Sequence, residues 1–177
     1  HSRTDFDLKA HEEYSGKKLQ YFDPAENKSY VPYVVETSIG LDRMFLAVFS
    51  NSLQEEELDN GTTRTVLKLP AVLAPYKAAI LPLVKKDGLP EVARKIVEDL
   101  KWDFNVFYDE KDAVGKRYRR QDAAGTPFCI TVDHDSLEDN AVTIRHRDTM
   151  EQKRVAISEL KDIIKAEVDI KTWLQKM

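Results

Sequence analysis

The clearest chemistry in this chain lies between Glu36 and Arg43. A β-rich run begins at Tyr33, and alternate residues of a strand share a face, so Val34, Glu36 and Ser38 are expected side by side. That face carries one carboxylate and one hydroxyl. Gly40 follows and lets the backbone turn and a ligand approach closely. Leu41, Phe45, Val48 and Phe49 then recur at helical spacing, which predicts a helix over 40–53. Arg43 sits in or near its first turn, where free N–H groups and a positive dipole end favour anions and a guanidinium fork matches phosphate. A carboxylate suited to an ammonium group is thus placed near a site suited to phosphate. The same residues also fit an ordinary strand, turn and helix with a surface Glu and a surface Arg.

The wider string Glu36-Thr37-Ser38-Ile39-Gly40-Leu41-Asp42-Arg43 resembles motif 3 of class II aminoacyl-tRNA synthetases, in the form used by glycyl-tRNA synthetases. It departs from the family at Thr37, where Pro is usual, and at Ile39, where a small residue is common. The resemblance continues in Ser2-Arg3-Thr4-Asp5-Phe6-Asp7-Leu8, Ser15-Gly16, Leu67-Lys68-Leu69-Pro70, Leu73-Ala74-Pro75 and Leu81-Pro82-Leu83. Gly115-Lys116-Arg117-Tyr118-Arg119-Arg120, Gly125-Thr126-Pro127 and Arg145-His146-Arg147-Asp148-Thr149 complete it, in the family's order.

The resemblance implies a pocket for glycine at Glu36, Thr37, Ser38, Ile39 and Gly40. It implies ATP contacts at Gly40, Leu41, Asp42 and Arg43, with Arg43 on the γ-phosphate and Arg43 and Glu36 as the catalytic pair. The implied reaction is adenylation of glycine, assisted by Mg²⁺, and transfer to tRNA(Gly), with electrostatic stabilisation and no enzyme nucleophile. Ile39 and Thr37 are candidate walls against larger amino acids, since overlap penalises an added methyl more effectively than lost contact does. Arg3, Asp5 and Asp7 read equally as substrate contacts and as polar edge residues.

These residues need a scaffold, and the chain divides in character. Residues 1–30 are polar, with turns at Ser15-Gly16, Asp23-Pro24 and Asn27 and short extended pieces expected at Phe6–Leu8 and Lys18–Phe22. Residues 54–65 are acidic and then turn-forming, and read as a solvated helix end and loop or as a lineage-specific insertion. A boundary is expected at 66–76, and the resemblance implies a catalytic-domain portion over 1–65 and an anticodon-binding domain over 66–177. From Ala78 the pattern is α/β: a strand at 79–84, a helix over 89–100, a strand at 104–108, a helix over 114–124, and a strand at 127–132. A hairpin of 141–147 and 153–157 follows, then a helix from Ser158 and a shorter one over 169–176. The expected fold is a mixed sheet of about five strands flanked by helices, preceded by a partial antiparallel catalytic segment.

The basic run Lys116–Arg120 lies on the second of these helices. Arg117, Arg119 and Arg120 are candidate phosphate contacts, and Tyr118 a candidate stacking ring. Arg145, Arg147 and Gln152 at the hairpin are candidate readers of anticodon bases. Each also has a structural reading: a core tyrosine, a solvated basic face, or cross-strand pairing of the arginines with Asp148 and Glu151.

Composition narrows the rest. With 27 Lys and Arg against 31 Asp and Glu the formal charge is −4, which argues against broad binding to nucleic acid but allows a local basic face. The chain lacks eighteen consecutive apolar residues, so no membrane span is expected. One cysteine, Cys129, sits in an apolar run as a reduced core thiol, and no Cys/His spacing marks a metal site. The chain opens with His1 and shows no basic-then-apolar leader, so it reads as a fragment or a processed product. The resemblance implies the C-terminal portion of a cytoplasmic, homodimeric enzyme whose motifs 1 and 2 lie upstream. The rival readings are a non-catalytic RNA-binding module and a polymerase accessory subunit with a synthetase-like fold.

Overall fold

The computed structural model describes residues 1–58 and 61–175. Contacts divide it into two units, His1–Phe45 and Leu46–Met177.

In the first unit β1 (Ser2–Thr4) is followed by α1 (Phe6–Ser15), a hairpin of β2 (Tyr21–Asp23) and β3 (Lys28–Tyr30), and β4 (Val34–Val35), which pairs antiparallel with β1. Helix α2 (Leu41–Ser52) crosses the division. The stretch expected to be extended at 6–8 is helical. Its polar sequence hid the helix, which is supported by a Lys9–Asp5 pair of 2.5 Å at i,i+4 spacing and closed by Gly16 in the left-handed region. The strand expected through Ser38 stops at Val35. Only the Glu36 N–H, donated to the His1 carbonyl at 3.0 Å, continues the pairing. None of residues 1–45 is buried.

After the end of α2 the second unit continues with β5 (Leu53–Glu57) and β6 (Thr63–Leu67), an antiparallel hairpin where a helix end and loop were expected. The acidic run concealed a strand whose Glu56 lies directly opposite Arg64, a favourable cross-strand pair. The expected boundary at 66–76 lies inside this unit. A 3-10 turn at Ala71–Leu73 leads into β7 (Ala78–Pro82), α3 (Leu89–Leu100), β8 (Val106–Tyr108), α4 (Val114–Ala124), β9 (Phe128–Val132), α5 (Ser136–Asp139), β10 (Ala141–His146), β11 (Gln152–Ala156), α6 (Leu160–Val168) and α7 (Ile170–Gln175). Lys176, read as the end of the last helix, lies outside the described residues.

The sheet order is β11-β10-β9-β7-β8, with β7 parallel to β8 and β9 and the other pairs antiparallel. This is the expected mixed five-stranded sheet. Strand alternation sorts its residues. Ala78, Ile80, Ile130, Val132, Val142 and Ile144 meet Leu89, Ala93, Ile96 and Leu100 of α3 and Leu160 and Ile164 of α6 in one buried cluster. Ala79, Leu81 and Cys129 form a second, against Tyr118 of α4 and Phe107. Burial pushes the Cys129 thiol up to about 12, which keeps it protonated and inert.

Candidate functional site

In the first unit the candidate loop leaves β4 and enters α2. Residues 36–40 carry no regular structure and are exposed. The Glu36 side chain is 51% exposed, with Oε2 3.9 Å from Arg3 Nε. Arg3 donates from Nε and Nη2 to both carboxylate oxygens of Asp7, at 2.8 and 2.7 Å, and these hydrogen bonds hold Asp7 below its ordinary 3.8. The structure therefore gathers Arg3, Asp7 and Glu36. Asp42 and Arg43 occupy the first turn of α2, with the Gly40 carbonyl accepting the Met44 N–H at 3.0 Å. A Cβ on Gly40 would meet only the Arg43 side chain, at an ordinary 3.8 Å. Nothing in the fold itself requires glycine at that position. No hydrogen bond or ion pair joins Glu36 to Arg43 among the described residues.

In the second unit the basic helix separates into struts and exposed groups. Arg117 is 1% exposed. Its Nη1 donates to the carbonyls of Pro82 (2.7 Å) and Asp109 (3.1 Å) and its Nη2 to that of Leu83 (3.2 Å), tying α4 to the carboxyl ends of β7 and β8. Its Nε is buried without a partner, and desolvation lowers its pKa. The Tyr118 hydroxyl pairs with Thr131 Oγ1 at 2.6 Å, and the Arg145 guanidinium lies 4.9 Å from the ring centroid. Burial raises the Tyr118 pKa. This ring is half-buried and packs between α4 and the sheet. Lys116 and Arg120 are exposed, and Arg120 bonds Asp109 (2.6 Å), Asp112 (2.9 Å) and the Lys111 carbonyl (2.7 Å).

Asp122 is the electrostatic centre of the unit. It is 1% exposed and accepts from three arginines on three elements. Arg145 of β10 binds it with two donors (2.8 and 3.1 Å), Arg64 of β6 at 3.2 Å, and Arg119 of α4 at 3.1 Å. Arg64 also donates to the Arg147 carbonyl (2.9 Å) and to Glu56. Arg147 is buried, with its donors on the carbonyls of Gly125 (2.9 Å) and Leu69 (2.8 Å) and on Asp148. Arg145 and Arg147 therefore share a side of the sheet, as their spacing implied, but that side is internal. Their guanidinium groups hold the fold and do not face a base edge. Gln152 is exposed opposite Arg145. Of the arginines on Asp122, Arg119 is the one that reaches solvent, with 44% of its side chain exposed. Sequence reasoning missed Arg64 and Asp122. The Arg119/Asp122 spacing on a helix was the available signal.

Residues 77–167 match the family model of the anticodon binding domain. The chain belongs to the anticodon-binding domain family. The matched span runs from the start of β7 to α6, which is the mixed sheet and its helices. The whole chain is similar to proteins named glycine–tRNA ligase. It is 53% identical to that of Clostridium beijerinckii over 94% of this chain and 36% of the relative, 55% identical to that of Bacillus cereus strain ZK over the same shares, and 49% identical to that of Borrelia hermsii over 95% and 38%. The chain thus spans little more than a third of these relatives' length. Among solved structures, the RNA binding domain of threonyl-tRNA synthetase from Cryptosporidium parvum matches with TM-score 0.52 and 23% identity, over 56% of this chain and 25% of that one. A prolyl-tRNA synthetase of the same organism matches with TM-score 0.54 and 19% identity, over 69% and 32%. Both show the fold of the anticodon-binding domain.

Proposed function

We propose that the chain is part of a glycine–tRNA ligase, with the anticodon-binding domain holding tRNA(Gly) and residues 36–43 serving glycine and ATP in the larger protein. Identity of 49–55% to proteins of that name along nearly the whole chain carries this reading. The exposed state of residues 1–45 fits a segment that is covered by further chain. Glu36 takes the glycine ammonium, Ser38 lies beside it, and Arg43 neutralises the ATP phosphates, so adenylation is driven by positioning and charge. Among the described residues no three metal-ligating side chains gather. The larger protein is assigned to the cytoplasm as a homodimer, by analogy with the family. No helix among the described residues is long and apolar enough to cross a membrane.

On the anticodon-binding side, Arg119, Arg120, Lys116 and Gln152 are the exposed members of the candidate set. Phosphate contacts by such groups position the RNA and weaken with salt. In the full-length protein, Arg43→Ala is expected to abolish glycine-dependent ATP–pyrophosphate exchange while tRNA affinity stays unchanged. Arg119→Ala is expected to do the reverse and to lower the salt slope of tRNA binding by about 1. Exchange surviving Arg43→Ala overturns the phosphate role.

A further inference from the structure

The second unit has a recess away from the residues described above, at the amino ends of β7 and β8. It is a groove of about 750 Å³, lined among others by Val72, Lys77, Trp102, Phe104, Asn105 and Lys165. That volume falls within the range of about 300–1,000 Å³ usual for small-ligand sites.

Trp102 is 84% exposed, on the turn between α3 and β8. An indole so exposed is uncommon and is suited to covering another flat ring. The Lys101 ammonium lies 5.4 Å from the ring centroid. Lys77 is fixed inside the groove by the carbonyls of Ala71, Val72 and Ala74, at 3.2, 2.8 and 2.8 Å. These neutral acceptors orient the ammonium but do not cancel its charge, and no carboxylate is in ion-pair range of it among the described residues. Burial lowers its pKa from 10.5. Two acids also line the groove. Asp103 is paired with Lys161 at 2.8 Å, and Asp169 accepts the Thr172 N–H and hydroxyl at 3.0 and 2.9 Å. Lys101 is paired with Glu98. Lys77 and Lys165 both line the groove with no carboxylate in ion-pair range among the described residues. The hydrogen bonds from Thr172 hold Asp169 below 3.8, and the Lys165 charge helps. Lys77 spends its three N–H donors on carbonyls and so acts on the groove through its charge alone.

The geometry points to a nucleotide-binding groove, in which a base stacks on Trp102 and its phosphate lies toward Lys77 and Lys165. An aliphatic peptide would place apolar groups against the Lys77 charge, and carboxylates alone would leave the indole uncovered. A nucleotide supplies both. It can come from an unpaired stretch of RNA or as a free mononucleotide. The site does not depend on the roles of residues 36–43.

The test uses the 177-residue chain with Trp173→Phe, which leaves Trp102 as the only one of its two tryptophans. Its emission is followed during titration with a single-stranded RNA hexamer and, separately, with AMP. Saturable quenching that weakens with added salt is expected in at least one arm. Quenching by the hexamer alone assigns RNA, and quenching by both assigns a mononucleotide. By direct calorimetry on the native sequence, Trp102→Ala should weaken binding about 5- to 150-fold, the range for loss of one base stack, and Trp102→Phe should recover part of it. Lys165→Ala should weaken it several-fold and flatten the salt dependence. Absence of saturable quenching with both probes overturns the site, as does binding that survives Trp102→Ala. A blue shift of Trp102 that grows with protein concentration and needs no nucleotide also overturns it, because the indole then belongs to a contact between copies.

Discussion

Arg3 and Arg145 each grip an aspartate with two hydrogen bonds, Arg3 through Nε and Nη2 and Arg145 through Nη1 and Nη2. Their surroundings differ completely. Arg3 and Asp7 lie in a unit with no buried residue, where water screens the pair and it contributes little. Arg145 and Asp122 lie under α4 with both side chains almost fully buried, where one carboxylate also serves Arg64 and Arg119. The lesson is that an ion pair takes its value from what excludes water around it. The first unit holds ligand-suited residues without a core, and the second holds a closed core with few of its arginines free.

The largest test of this contrast is to delete both acids. Asp122→Ala leaves three arginines without their common acceptor and is expected to destabilise the second unit by about 3–5 kcal/mol in urea unfolding. Asp7→Ala should leave that transition where it was. Equal effects would erase the distinction drawn between the pairs.

A smaller effect is expected at Gly125. It sits at φ +80°, and a Cβ there would lie 3.1 Å from the Leu67 carbonyl oxygen, a backbone atom that cannot swing aside. Gly125→Ala should cost about 1–3 kcal/mol. Gly40→Ala, which meets only the Arg43 side chain at 3.8 Å, should leave stability unchanged.

Acid should act in the same direction. Asp109, Asp133 and Asp148 are partly buried, which raises their pKa, but hydrogen bonds and charge from Arg120, Arg154 and Arg147 outweigh this and bring each below 3.8. Lys68 and Arg64 likewise hold Glu56 below 4.5. For such groups the unfolded chain binds protons first as pH falls. Their stabilisation is present above about pH 4.5 and is lost as pH drops through 3.8 and below. The urea midpoint should therefore decline over that window, with no more than about 1 kcal/mol from each group. A midpoint flat from pH 6 to 3 would show these pairs to be inert.

The smallest effect is expected on the exposed face of α2. Leu41 is 82% exposed, so Leu41→Ser should change stability by less than about 0.5 kcal/mol. Amide exchange should be fast through residues 1–40 and slow in β7 and β9, which are buried along their whole lengths.

Helices 89–100 and 114–124 were legible to the residue, because apolar spacing marked the first and Gly125 closed the second. The mixed sheet followed from the order of elements. Helix α1 was missed because polar residues outnumber its Phe6, Leu8, Ala10 and Tyr14, and the β5–β6 hairpin because an acidic run does not look like a strand until Arg64 is placed opposite Glu56. The basic run of α4 was overread for a different reason. Sequence shows charge but not depth, and the ligands of Arg117 are carbonyls about 35 residues away at the ends of β7. Arg145 depends on a carboxylate on another element, which no local pattern reveals. The strand through Ser38 was overread because alternation continues past Val35 while the pairing partner ends.

The hairpin of β5 and β6 also sets where this domain can be cut. The matched family span opens at Lys77, just before β7. Trimming the chain there would remove Arg64 and Leu67, leaving Asp122 one donor short, Gly125 without the carbonyl it packs on, and the flank of α4 open to water. A stable excised domain should instead begin no later than Leu53, so that the hairpin travels with the sheet it braces.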